Sequence, residues 1–257
     1  MSDQPQLARE EVRKALDLDD QLAEAHNSLA RILYRFNGDW AGADREFQRA
    51  LELDINYAPA HHWYSMYLAL QGRKGQAIAE AERAYELDPL SAVVGANLAK
   101  VLQEAGQDDK AIERAKRTLD LEPDSGVTHA VLGIAYQDKR MYAEAIGEYK
   151  KALQLGGPPE EIRGLLGYAF AALGNRTEAK RMIAELKARR PAHTHAALDL
   201  AVVFSGLGDK ESALYWLGKA QEAHVSDLIG IGQDSHFVEL RSDPRFQELM
   251  QQVGASH

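Results

Sequence analysis

Histidine is the residue type in this sequence that most invites a chemical reading, because imidazole binds metals and carries protons near neutral pH. His61 and His62 are adjacent, so on a helix they point about a quarter turn apart, and His193 and His195 flank a helix start. Neither pair has the spacing of a helical zinc site, two histidines four apart with an intervening glutamate. Asp234, Ser235 and His236 supply the residue types of a hydrolase triad, but a triad is assembled from separate elements rather than from neighbours in sequence. Gly230-Ile231-Gly232 lacks both a preceding strand and the third glycine of a dinucleotide loop. No phosphate-binding lysine loop is present, and Asp108-Asp109, read as part of a turn, lacks the calcium-loop pattern. The absence of cysteine removes disulfides, thiolate metal sites and cysteine nucleophiles together. The expectation is a protein with no catalytic residues, no metal and no cofactor, and therefore not an enzyme.

Composition narrows the partners. The 257 residues are 45% hydrophobic and 27% charged, which suits a packed core and not wholesale disorder. A formal net charge of -9 repels phosphate backbones, so nucleic acid is not expected as a direct partner. The densest basic cluster, Lys180, Arg181, Lys187, Arg189 and Arg190, is interrupted by Glu178 and Glu185 and reads as a solvated helix face. Residues 1–11 contain no apolar stretch of the secretory kind, and the longest apolar-rich run, residues 165–173, is far short of a membrane span. Asn175-Arg176-Thr177 matches a glycosylation acceptor, which matters only in a secreted protein. A cytoplasmic protein that does not enter membranes is expected.

The elements that must position any functional residue announce themselves as a repeat. Ala43, Ala77, Ala111, Ala145, Ala179 and Ala213 recur at intervals of 34. Two further columns keep the register: Phe47, Ala81, Ala115, Tyr149, Ile183 and Leu217, then Ala50, Ala84, Thr118, Ala152, Leu186 and Ala220. Upstream lie small residues at Ser65, Ala99, Gly133, Gly167 and Ala201, each preceded by a large one at Tyr64, Leu98, Leu132, Leu166 and Leu200. Gly38, Gly72, Gly106, Arg140, Gly174 and Gly208 complete the unit. Spacings of three, four and seven put these columns on single helix faces, where small side chains let two helices approach and large ones fill the gap beside them. The glycine stops the first helix and Pro89, Pro123 and Pro191 stop the second, so each unit is helix, turn, helix.

These columns resemble the tetratricopeptide repeat, whose period is also 34. The resemblance implies an all-α fold, a right-handed α-solenoid of about six hairpins with a capping helix at each end. The expected boundaries are a cap at 1–21, units at 22–56, 57–90, 91–125, 126–159, 160–193 and 194–223, and a closing segment at 224–257. One extra residue between Leu33 and Gly38 is expected to lengthen the first turn, and Gly156-Gly157-Pro158-Pro159 is expected to make the weakest joint. Residues 5–18 read as a terminal helix with one polar side, and Asp243-Pro244 reads as the start of a last helix. Residues 240–250, with residues 60–64 and 86–91, are similar to the C-terminal tetratricopeptide regions of bacterial multidomain signalling proteins, which follow a winged-helix regulator, a Ser/Thr kinase or a nucleotide cyclase. That similarity implies a sensing or docking role attached to an effector.

In such a stack the first helices line the concave side. The register puts Asn27, Arg31, Tyr34, His62, Met66, Asn97, Lys100, Val131, Ile134, Gln137, Leu165 and Tyr168 on that groove. About half are apolar, which favours burial by a partner, and the polar ones gather towards the N-terminal half, which suits a peptide carrying an acidic group. The expected function is a non-catalytic scaffold that binds a protein or peptide. The alternative is a self-associating module, such as a homodimer, that positions an effector.

Overall fold

The computed structural model describes residues 4–157, 159–188, 196–223, 228 and 231–255. Pro158, Arg189, Arg190, Pro191, His193, His195 and Gly230, and with them the expected boundary at 193, lie outside the described residues. The chain is all-α, with no strand among the described residues, and it divides into two compact units, Met1–Pro123 and Asp124–His257.

The first unit holds α1 (Gln4–Leu18), α2 (Ala23–Ile32), α3 (Trp40–Leu53), α4 (Ala58–Leu70), α5 (Lys74–Leu87), α6 (Ala92–Glu104) and α7 (Asp108–Leu121). α2 packs on α3, α4 on α5 and α6 on α7, and the first helices α2, α4 and α6 lie side by side. Capping follows sequence. Asp39 accepts from the Gly42 amide and Ser91 from the Val94 amide, each satisfying a donor that has no partner inside its helix. Two sequence expectations are corrected here. The extra residue does not lengthen the turn: Leu33–Asn37 form a π-helical turn that absorbs it inside the first helix, and Gly38 still reaches the left-handed position. Asp108 and Asp109 stand not in a turn but in the first turn of α7, where carboxylates are favoured by the partial positive charge of the helix start.

The second unit holds α8 (Gly126–Asp138), α9 (Tyr142–Gln154), α10 (Pro159–Ala172), α11 (Arg176–Ala188), α12 (Ala196–Gly206), α13 (Lys210–Glu222), a 3-10 segment (Ser235–Leu240) and α14 (Pro244–Ala255). α8 packs on α9, α10 on α11 and α12 on α13. Gly156 and Gly157 end α9 in close packing: a Cβ added at Gly157 would lie 2.7 Å from the Gly126 carbonyl oxygen. Phe237 and Leu240 of the 3-10 segment and Phe246 and Leu249 of α14 join Ala201, Leu214 and Leu217 in one buried apolar cluster, which closes the last hairpin.

The repeat columns are the core of both units. The alanines at 43, 77, 111, 145, 179 and 213 are fully buried, as are Phe47, Tyr149 and Leu217 beside them. Each hairpin is crossed at a small residue: Ser65, Ala99 and Ala201 are fully buried, and a Cβ at Gly133 would lie 2.7 Å from the Tyr149 ring. No described helix is long and apolar enough to cross a membrane.

Candidate partner-binding face

In the first unit the expected groove residues stand on α2 and its π turn (Asn27, Arg31, Tyr34), on α4 (His62, Met66) and on α6 (Asn97, Lys100). They divide by burial. Tyr34 is buried in an aromatic cluster with Trp40, Phe47 and Tyr67, at ring separations of 5.6 to 6.2 Å, and serves the core. Asn97 is buried and donates to the Ser65 hydroxyl at 2.7 Å, which in turn donates to the His62 carbonyl, so Asn97 ties α6 to α4. Met66 is half-buried, and Lys100 is exposed with Glu104 at 3.7 Å.

Arg31 is different. Its guanidinium lies 3.8 Å above the Trp63 ring, half-buried, and burial lowers its pKa from the ordinary arginine value. Arg35 adds to the lowering, and Tyr34 and Tyr57 oppose it. The Arg31 Nε has no hydrogen-bond partner among the described residues, nor do Asn27 Oδ1 one turn earlier on α2 or Nδ1 of His62. Asn27 is 3% exposed and His62 7%. Burial first and Arg31 second hold His62 below its usual pKa, so its ring is neutral at pH 7.

In the second unit Val131 and Gln137 on α8 are buried, and Ile134, Leu165 and Tyr168 are half-buried. Here the chain meets its own groove residues. His236 of the 3-10 segment sets Nε2 2.9 Å from Gln137 Nε2 and its ring 4.5 Å from that of Tyr168, nearly perpendicular. Ser205 of α12 donates to the His236 carbonyl at 2.5 Å. Asp234 and His236, dismissed as neighbours in sequence, do pair at 2.6 Å, but the pair fixes the segment and Ser235 between them is exposed. Burial, helped by Tyr142, pushes the Tyr168 hydroxyl up to about 12. A cleft of about 340 Å³ remains among Gln137, Arg140, Tyr142, Tyr168 and His236.

Sequence reading missed a repeated pair. His26, His61 and His129 occupy one column of the first helices, and Nδ1 of each lies 2.5 to 2.6 Å from a carboxylate of the following helix, Glu46, Glu80 and Glu148. The glutamates share the 34-residue register and so were visible as a column. The histidines were weighed as neighbours along the chain and not down the repeat. Among the described residues no group of three or more potential metal ligands is assembled.

The sequence matches no family model and no curated protein. Its fold has close counterparts among solved structures. PilF of Pseudomonas aeruginosa is 25% identical over 73% of this chain and 85% of its own, with a TM-score of 0.63. PilW, described as a widely conserved type IV pilus biogenesis factor, is 16% identical over 79% of this chain and 93% of its own, at 0.67. The Cut9–Hcn1 assembly of the APC/C aligns with 98% of this chain and 46% of its own, at 17% identity and 0.71. These are tetratricopeptide proteins, and this chain shares their all-α solenoid fold.

Proposed function

We propose that this chain is a non-catalytic docking module that takes a peptide segment of another protein on the first helices α2, α4 and α6. The reading rests on Arg31. A half-buried guanidinium that lies over the Trp63 ring and makes no ion pair among the described residues is an incomplete electrostatic site on an acidic chain. An acidic group from a partner completes it, and Met66 and Lys100 extend the surface in apolar and cationic character. The similarity of residues 240–250 to signalling proteins supports attachment of the module to an effector, in the cytoplasm.

Light scattering coupled to size exclusion, over a concentration series, is the first test. A constant mass near one 28.5 kDa chain, with peptide binding that Arg31→Gln weakens, is the expected result. A second reading, self-association, is favoured by Leu7 and Leu18 of α1, which are 56% and 90% exposed. A dimer that Arg31→Gln dissolves would move that reading ahead and remove the support for docking.

A further inference from the structure

Two kinds of tie hold the entry of the first helix in the hairpins α2–α3 and α4–α5. The imidazole that meets the carboxylate of the following helix also reaches back to the connecting loop. Nε2 of His26 lies 3.0 Å from the Asp20 carbonyl, and that of His61 lies 2.9 Å from the Ile55 carbonyl. An arginine of the second helix holds the same loop by a side-chain amide: Arg49 donates to Gln21 at 3.4 Å and Arg83 to Asn56 at 2.7 Å. Loop, first helix and second helix are thereby joined at one corner.

The third hairpin, α6–α7, lacks both. Gly95 stands at the histidine position, Arg114 at that of Glu46 and Glu80, and Leu90 at that of Gln21 and Asn56. Glycine has no side chain to reach the loop or α7, and leucine offers no acceptor. The arginine of the column, Arg117, pairs instead with Glu113 on its own helix at 2.5 Å. Thr118 takes the space where a Cβ on Gly95 would lie, 2.5 Å from its hydroxyl oxygen, yet that hydroxyl donates to the Arg114 carbonyl of α7 and not to α6. Arg114 lies 3.7 Å above the Tyr85 ring, so it ties α7, not α6, to the preceding hairpin. Beside it a cleft of about 440 Å³ leaves room between α5, α6 and α7. Burial does not hold the junction through Leu90 and Val93, which are 78% and 65% exposed. What remains at the helix start is the Ser91 cap, a contact local to α6, and the glycine in the first turn weakens that start. Further along, α6 is well held: Leu98, Ala99, Val101 and Leu102 are buried, and Asn97 donates to Ser65 of α4 at 2.7 Å.

We infer that residues 88–95 are the hinge of the first unit: for want of these ties, the start of α6 opens and closes about the Asn97–Ser65 bond while α2 and α4 stay tied to their loops. The parts of a fold that move are those of lowest local stability, and the ties are missing at this one corner of the three. α6 carries Lys100, so the movement adjusts one edge of the first-helix face. Opening is a property of the free chain, so the hinge stands or falls independently of the docking function.

Native-state hydrogen exchange of the whole chain, read residue by residue by NMR at about pH 6, tests it. After correction for intrinsic rates, the amides of residues 95–98 are expected to exchange about tenfold or more faster than those of residues 61–64, their counterparts in α4, the share of one hydrogen bond to a charged group. Restoring the sibling residues together, with Leu90→Asn, Gly95→His, Arg114→Glu and Thr118→Ala, is expected to bring the α6 amides to the α4 rates. Gly95→Ala with Thr118→Ala repairs the helix without supplying the ties and is expected to recover only part of the difference. Equal protection of α4 and α6 in the wild-type chain, a comparison that needs no variant, would overturn the hinge. Fast exchange that persists in the folded four-residue variant, or full recovery with the two alanines, would overturn its origin in the missing ties.

Discussion

The imidazole of His61 lies between two acceptors, the Glu80 carboxylate 2.5 Å from Nδ1 and the Ile55 carbonyl 2.9 Å from Nε2. Carboxylate and carbonyl oxygens only accept, so the two contacts favour a ring that donates from both nitrogens, the imidazolium form. His26 repeats the arrangement in the first hairpin, with Glu46 at 2.6 Å and the Asp20 carbonyl at 3.0 Å. These pairs fix the entry of a first helix to the second helix of the same hairpin.

A pH dependence follows. Burial opposes the charge on His61, but Glu80 and the Ile55 carbonyl outweigh it, and the folded pKa stands above 6.5. A raised folded pKa gives stability that is full below the unfolded value of about 6.5 and is lost as pH rises through the folded value. Urea unfolding from about pH 5.5 to about 8.5 should show stability falling with pH more steeply in the wild type than in Glu80→Gln. At the acid end Glu80→Gln should cost about 1.5–3 kcal/mol, as for a hydrogen bond to a charged group. Parallel pH profiles in the two proteins would refute the imidazolium assignment.

Tyr149 and Gly133 make a size-matched pair. The Tyr149 ring fills the space that the missing Cβ of Gly133 leaves, and its hydroxyl is buried without a hydrogen-bond partner among the described residues. Tyr149→Phe is therefore expected to keep or raise stability, by up to about 1–2 kcal/mol, since it removes an unsatisfied polar group. Gly133→Ala should cost about 1–3 kcal/mol through overpacking. Thermal unfolding of both variants checks the pair, and a marked loss in Tyr149→Phe would mean that the hydroxyl has a partner after all.

Arg140 has φ 59°, the left-handed conformation that Gly38, Gly72, Gly106, Gly174 and Gly208 adopt at the same place in other hairpins. Arg140→Gly is expected to stabilise the protein by about 1 kcal/mol. Gly174→Ala, at φ 83°, is expected to destabilise it by a similar amount. Equal melting temperatures for all three proteins would show that the turn carries no backbone cost.

At the C-terminal end, burial outweighs charge. Phe237 is fully buried in the closing cluster, and Phe237→Ala should cost about 3–5 kcal/mol. Arg245 makes two bonds to Glu211, at 2.7 and 2.8 Å, but the pair is exposed, and Arg245→Ala should leave denaturant midpoints close to wild type. The reverse order of effects would mean that ion pairing, not the apolar cluster, holds α14 in place.

Much of the architecture was legible before any coordinates. A column such as Ala43 to Ala213 can repeat only if the same contact recurs, and that contact is a helix crossing too close for a larger side chain. The glycine column was legible for a related reason, because a left-handed residue excludes most side chains and so leaves a mark on residue type. The candidate site was less so. Register alone gave Asn97, Tyr34, Gln137 and Arg31 the same standing, yet Asn97 is spent on Ser65, Tyr34 on its aromatic neighbours and Gln137 on His236.

The sequence by itself determined the hairpin, its period and its turns, since these depend on contacts a few residues apart or one repeat apart. Only the tertiary structure decided which polar side chains remain unsatisfied. Whether Arg31 finds a carboxylate, or Arg114 faces a cleft instead of a histidine, depends on where the side chains of neighbouring helices end. A few ångströms separate a paired charge from an unpaired one, and a pattern of residue types repeating along the chain does not encode that distance.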